Sequence, residues 1–246
     1  MKAIILAAGY ATRLYPLTKD KPKSLLEVGG RTILEHILIK ISKVDAVDQV
    51  YIVTNSRFYE QFQIWVDDYR YSLPITVLDD GTTDNENRLG AIADLQLAVE
   101  REKINDDLLA LAGDNLFEFE LSDFVAFFEA KQLDMITTHE LGDPDQLRRT
   151  GVIEVEQDFQ VISFEEKPET PQSNLAVPPF YIYRRETLPL IGEYLREGQN
   201  PDAPGNFVPW LLGKKPVYAY KFEGRRYDIG TVESYREVCR IFGINN

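Results

Sequence analysis

Cysteine, histidine and positive charge are all scarce in this chain of 246 residues. Its single cysteine, Cys239, cannot close an internal disulfide and leaves no cysteine-based metal site, as expected in a reducing compartment. The two histidines, His36 and His139, fall inside predicted helix and strand patterns. No Ser-His or Cys-His pair stands out, so covalent catalysis by an activated nucleophile is not expected. Lys and Arg number 27 against 40 Asp and Glu, a formal net charge of −13. That field repels phosphate polymers and anionic bilayers, so neither a nucleic acid nor a membrane is an expected partner. No run approaches the roughly 18 apolar residues of a membrane span, and the N-terminus lacks a secretory pattern. A soluble, cytoplasmic protein is the expectation. No internal repeat, low-complexity tract or linker is present, and QNPDAPGN (199–206) is the best loop candidate.

What the chain does have is core. Apolar residues make up 44% and aromatics 11%, enough for a single folded unit over 1–246. Continuous apolar runs at 2–8, 49–55, 75–78 and 108–114 read as buried parallel strands. Between them lie helical patterns at 32–42, 57–66 and 88–102, the first opened by Thr32 and Glu35 in capping-box spacing. Alternation of this kind predicts a Rossmann-like α/β fold, three layers α/β/α around a mostly parallel sheet. Past residue 118, strands crowd together at 135–141, 151–157, 160–166, 176–183 and 217–223, which predicts antiparallel additions to a mixed sheet. Helices are expected at 122–132, capped by Ser122, near 186–196, and from Thr231 to Phe242.

Basic residues are rare, so their clustering is informative. The stretch LAAGYATRLYPLTKDKPKSLLEV (6–28) follows the first strand and carries Arg13, Lys19, Lys21 and Lys23. It delivers backbone N–H groups at the carboxyl edge of a parallel sheet, where open α/β folds bind ligands, and phosphate is the natural guest. It satisfies neither the P-loop pattern nor the dinucleotide fingerprint, and Pro16 and Pro22 exclude a helix directly after Gly9. A basic surface loop with no ligand is the competing reading.

The segment resembles the signature of the nucleotidyltransferases that activate sugar 1-phosphates, roughly LAAGxGTRLxPxT followed by PKxLxxV. The agreement covers Leu6-Ala7-Ala8-Gly9, Thr12-Arg13-Leu14, Pro16, Thr18, Pro22-Lys23 and Leu25; the family's second glycine is Ala11 here. Further segments resemble the family in order: Arg88-Leu89-Gly90-Ala91, Leu111 to Asn115, Gly151 to Glu154, Phe164 to Pro168, and Tyr227 to Thr231. The resemblance implies a reaction in which an NTP and a sugar 1-phosphate give an NDP-sugar and pyrophosphate, with Mg²⁺ held by Asp114 and Asp228. It implies Arg13, Lys23, Asp114 and Lys167 as catalytic residues. Leu6, Ala8, Gly9, Thr12, Arg13, Lys23, Asn87, Gly90 and Asp114 are then expected at the nucleotide, and Asn115, Gly151, Glu166, Lys167 and Tyr181 at the sugar phosphate. The nucleotide part would span about 1–118 and the sugar-phosphate part about 119–246. Glucose 1-phosphate with dTTP or UTP is the family expectation, although Asn85, Asn87 and Arg88 could favour another base. A cytidylyltransferase acting on phosphocholine, or a catalytically silent regulatory subunit, are the alternatives. A homo-oligomer is compatible with the family.

The chemistry explains the residue types. Two anionic reactants repel each other, so catalysis must come from positioning and charge neutralisation. Arg13 suits a bidentate grip on phosphate and Lys23 a point charge. Lys167 in FEEKP also reads as a surface lysine paired with Glu165 or Glu166. Asp114 and Asp228 equally read as caps, and Tyr181 equally as core.

Overall fold

The computed structural model describes residues 1–243. In the first half, β1 (Lys2–Leu6), β2 (Glu27–Val28) and β3 (Arg31–Thr32) lead to α1 (Ile33–Ile41). Then follow β4 (Gln49–Thr54), α2 (Tyr59–Asp68), β5 (Ile75–Asp79), α3 (Ala91–Arg101), β6 (Leu108–Ala112) and β7 (Asn115–Phe117). The second half comprises α4 (Leu121–Lys131), β8 (Asp134–Glu140), α5 (Pro144–Leu147), β9 (Gly151–Val155), β10 (Val161–Glu166), β11 (Leu175–Val177) and β12 (Phe180–Tyr183). It ends with α6 (Leu188–Arg196), α7 (Phe207–Leu212), β13 (Val217–Lys221), β14 (Arg226–Asp228) and α8 (Val232–Gly243).

A 10-stranded sheet runs β10-β9-β11-β8-β12-β6-β1-β4-β5, with β13 joined to β8. β1, β4, β5 and β6 are mutually parallel, as their apolar runs predict. β12 enters antiparallel between β6 and β8. Side chains alternate along each strand: Ala3, Ile5, Leu109 and Leu111 join the core shared with α1, α2 and α4. Ile4, Leu108 and Ala110 join the core shared with α3, α6 and α7. This period of two buries both faces and yields the three predicted layers.

Several local expectations change. The run 176–183 is two strands, because Pro178 and Pro179 interrupt the ladder between β11 and β12. β13 pairs parallel to β8 instead of adding antiparallel. Ser122 does not cap α4, whose N-cap is Glu120 with no side-chain cap bond. The capping box of Thr32 and Glu35 forms as the spacing predicts, with Glu35 N–H donating to Thr32 Oγ1 over 3.1 Å. Among the described residues no helix is long and apolar enough to cross a membrane.

Candidate active site

The carboxyl ends of β1, β5 and β6 open into a cleft of about 480 Å³. β1 ends at Leu6, and the chain then leaves the sheet. Asn55 Nδ2 donates to Ala8 O over 2.8 Å and Gly113 N–H donates to Leu6 O over 2.8 Å, which fixes the start of the basic loop. Gly113 is required by space: a Cβ there would lie 2.9 Å from Ser24 Oγ and 3.0 Å from Leu6 O. Ala11 takes φ 48°, a left-handed backbone of the kind glycine adopts most easily. Thr18 Oγ1 donates to Ala11 O over 2.8 Å and holds that turn.

The turn brings Arg13 and Lys23 to the cleft, which Leu6, Ala8, Gly9, Thr12, Gly90 and Asp114 also line. Buried Lys23 donates from Nζ to Asp114 Oδ2 over 2.7 Å, and Asn115 Nδ2 donates to Asp114 Oδ1 over 2.6 Å. Burial pushes the Asp114 carboxyl up, but the Lys23 ammonium, the Asn115 amide and Arg226 outweigh it and hold the group below the usual carboxylate range.

Asp228 arrives by a pairing that no sequence pattern announced. β14 lies antiparallel to β7 with Asp228 opposite Asn115, so Asp228 sits beside the residue that follows Asp114. Arg226 Nε donates to Asn115 Oδ1 over 2.6 Å and its guanidinium is 3.7 Å from Asp228 Oδ2. A Cβ on Gly230 would be 3.7 Å from both Arg13 Nη2 and Asp228 Oδ2, so Arg13 and Asp228 converge at this glycine. Among the described residues there is no group of three or more His, Cys, Asp or Glu able to hold a metal by themselves. A pair of carboxylates does suit Mg²⁺, which keeps waters and takes further oxygens from substrate phosphates.

The remaining expected residues divide. Lys167 is exposed, adopts φ 52°, and its Nζ is 3.7 Å from Glu166 Oε1, the pairing foreseen in the plainer reading. It stands close enough to Asp202, on the rim of the cleft, to help hold that carboxyl low after the Arg88 hydrogen bond. Burial raises Glu166, and Lys167 opposes it. Tyr181 is buried within reach of the charges of Glu166 and Arg226. Gly151 is buried against the ring of Phe164. Asn87 does not line the cleft; its amide donates to Asp84 Oδ2 over 2.8 Å, while Asn85 and Arg88 take places in the wall.

The loop 199–206 covers this rim. Arg88 grips Asp202 in a bidentate pair, Nε to Oδ1 at 2.7 Å and Nη2 to Oδ2 at 3.1 Å. Ala91 N–H and Ile92 N–H at the start of α3 donate to Asp202 O and Pro201 O. Sequence reasoning missed Arg226, Asp80 and Asp94; only the spacing of Asp94 on the inner face of α3 was a signal.

The nucleotidyl transferase family model matches residues 2–242. The chain belongs to this family. It is 33% identical over 238 residues to a UTP–glucose-1-phosphate uridylyltransferase AglF of Haloferax volcanii, covering 96% of the chain and 94% of that protein. It is 28% identical to a bifunctional protein GlmU of Methanocaldococcus jannaschii, over 94% of the chain but 51% of that protein, so it spans about half that relative's length. A Sulfolobus acidocaldarius protein described as a mannose-1-phosphate guanyltransferase is 28% identical over 97% of the chain and 62% of its own length. Among solved structures, a Bacillus anthracis protein described as a glucose-1-phosphate thymidylyltransferase, in complex with sucrose, superposes with a TM-score of 0.82 at 25% identity, covering 100% of this chain and 96% of that one.

Proposed function

We propose that the protein transfers a nucleotidyl group from an NTP to a sugar 1-phosphate, releasing pyrophosphate. The observation that supports this reading is the β7–β14 pairing, which sets Asp228 opposite Asn115, the neighbour of Asp114, next to a cleft lined by Arg13, Lys23 and Asp114. An oxygen of the sugar phosphate attacks the α-phosphorus; the bond from that phosphorus to the bridging oxygen breaks, and pyrophosphate leaves with the electron pair. Arg13 and Lys23 hold the triphosphate and offset its charge, while Lys167, near the rim residue Asp202, orients the sugar phosphate. Leu6, Ala8, Gly9, Thr12 and Gly90 form the nucleotide wall. Glu166, Tyr181, Gly151 and Asn115 form the sugar side, Asn115 also fixing Asp114. Asp114 and Asp228 would hold Mg²⁺, which when bound supplies charge neutralisation between the two phosphates.

The expectation of dTTP or UTP with glucose 1-phosphate draws support from the uridylyltransferase and thymidylyltransferase relatives. The description of another relative as a guanyltransferase supports leaving the choice of base open at the family level. The test is pyrophosphate release across a matrix of nucleoside triphosphates and sugar 1-phosphates, with and without Mg²⁺, and with phosphocholine as an added acceptor. Release with a hexose 1-phosphate, abolished by chelation, is expected. Turnover of phosphocholine alone, or none with any pair, would overturn the reading.

A further inference from the structure

The wall of the cleft away from Lys23 carries a carboxyl that no group in the described protein satisfies. Asp94 lies one turn into α3, lines the cleft and is 5% exposed, yet its Oδ1 has no hydrogen-bond partner. Helical side chains lean toward the helix N-terminus, which carries this carboxyl back toward Gly90 and the mouth of the cleft. Asp80, 8% exposed at the end of β5, lines the same wall. Asp80 is held in place by Thr82, whose backbone N–H and Oγ1 donate to its Oδ1 over 2.7 and 2.8 Å, and Tyr10 OH lies 3.0 Å from that Thr82 hydroxyl. Asp94 has no such support.

An unsatisfied buried acceptor is costly, so one kept at a ligand cleft calls for a donor that the ligand brings. Its place in the fold says which part of the ligand. In the sheet order β6-β1-β4-β5, Asp80 follows the strand third from the one that Asp114 follows. With strands about 4.8 Å apart, the two edges are separated by about 14 Å, so this wall faces the end of a nucleotide remote from its phosphates.

We propose that Asp94, with Asp80 beside it, reads the base of the NTP and selects guanine. The inference rests on the nucleotidyl-transfer reading above. A carboxylate only accepts hydrogen bonds, and guanine alone presents two adjacent donors, N1–H and the 2-amino group. Uracil and thymine set one N–H between two carbonyls, which this acidic wall repels. Adenine and cytosine each set one amino group beside an acceptor nitrogen. Burial, with the charge of Asp80, pushes the Asp94 carboxyl up to about 8 in the free cleft, so guanine, whose two donors favour the charged form, binds with loss of that proton.

Calorimetric titration of the whole protein with GTP, ITP, UTP and dGTP, with Mg²⁺ present, tests this. ITP lacks only the 2-amino group. GTP is expected to bind at least about tenfold more tightly than UTP and ITP, because a site built for a donor rejects the analogue without it. Asp94→Asn and Asp94→Ala are expected to remove that preference by lowering GTP affinity toward that of ITP, while UTP, relieved of the repulsion, binds no more weakly. UTP binding as tightly as GTP, a GTP preference that survives in both variants, or a change confined to the GTP-to-dGTP ratio would overturn the assignment. Pyrophosphate release on the same samples separates the two claims: turnover with UTP as efficient as with GTP refutes guanine selection and leaves transfer standing, whereas selective GTP binding without turnover does the reverse.

Discussion

Lys23 Nζ lies 2.7 Å from Oδ2 of Asp114, joining residues 91 apart in sequence. The contact ties the basic loop to the carboxyl end of β6, and it occupies one oxygen of a carboxylate assigned to metal binding. Lys23 thus pairs its charge with this carboxylate at the open cleft.

Asp114→Asn and Asp228→Asn are each expected to lower kcat/KM by two orders of magnitude or more, as for loss of a group that offsets developing charge, about 2.7–4 kcal/mol in comparable cases. Circular dichroism should show the fold intact. Unchanged turnover in both variants would refute the metal assignment.

Asp114 stays ionised at neutral pH because its folded carboxyl is held below the unfolded value. Its pairing with Lys23 therefore stabilises the fold above the ordinary aspartate range and is lost as pH falls through the lowered value. Lys23→Met is expected to lower the melting temperature at pH 7, with the difference shrinking below about pH 4, the ordinary aspartate pKa. A difference that persists undiminished at low pH would contradict the pairing.

Asp94 has the opposite sign. Its folded carboxyl is raised to about 8, so the unfolded chain sheds this proton first and stability falls as pH rises from the ordinary aspartate range toward 8. Asp94→Asn is expected to raise the melting temperature at pH 8, with the gain vanishing near pH 4. An equal effect at both pH values would refute the burial argument.

Ala11 holds a left-handed conformation that costs a non-glycine residue about 1–2 kcal/mol, offset in glycine by about 0.5–1 kcal/mol of extra chain entropy. Ala11→Gly should raise stability slightly, by under about 1 kcal/mol in urea unfolding. A clear loss of stability would show that the turn is not strained.

Gly113→Ala should cost about 1–3 kcal/mol, typical of overpacking, because its Cβ would press on Ser24 Oγ and Leu6 O. The KM for the NTP is expected to rise with it, since the same contact aligns the basic loop. A variant with native stability and KM would place the tolerance elsewhere.

The amino-acid sequence by itself determined the layered α/β plan, because strands buried on both faces need unbroken apolar runs and helices beside them need a 3.6-residue stripe. The loop motif and its bases were legible for the same reason: local spacing places them just past β1. Tertiary structure alone decided the pairing of Asp228 with Asn115, the seat of Arg226 against Asn115, and the isolation of Asp94 beside Asp80. These contacts link segments far apart in the chain, through short strands and a helix turn whose partners are chosen by packing, which residue order does not encode locally.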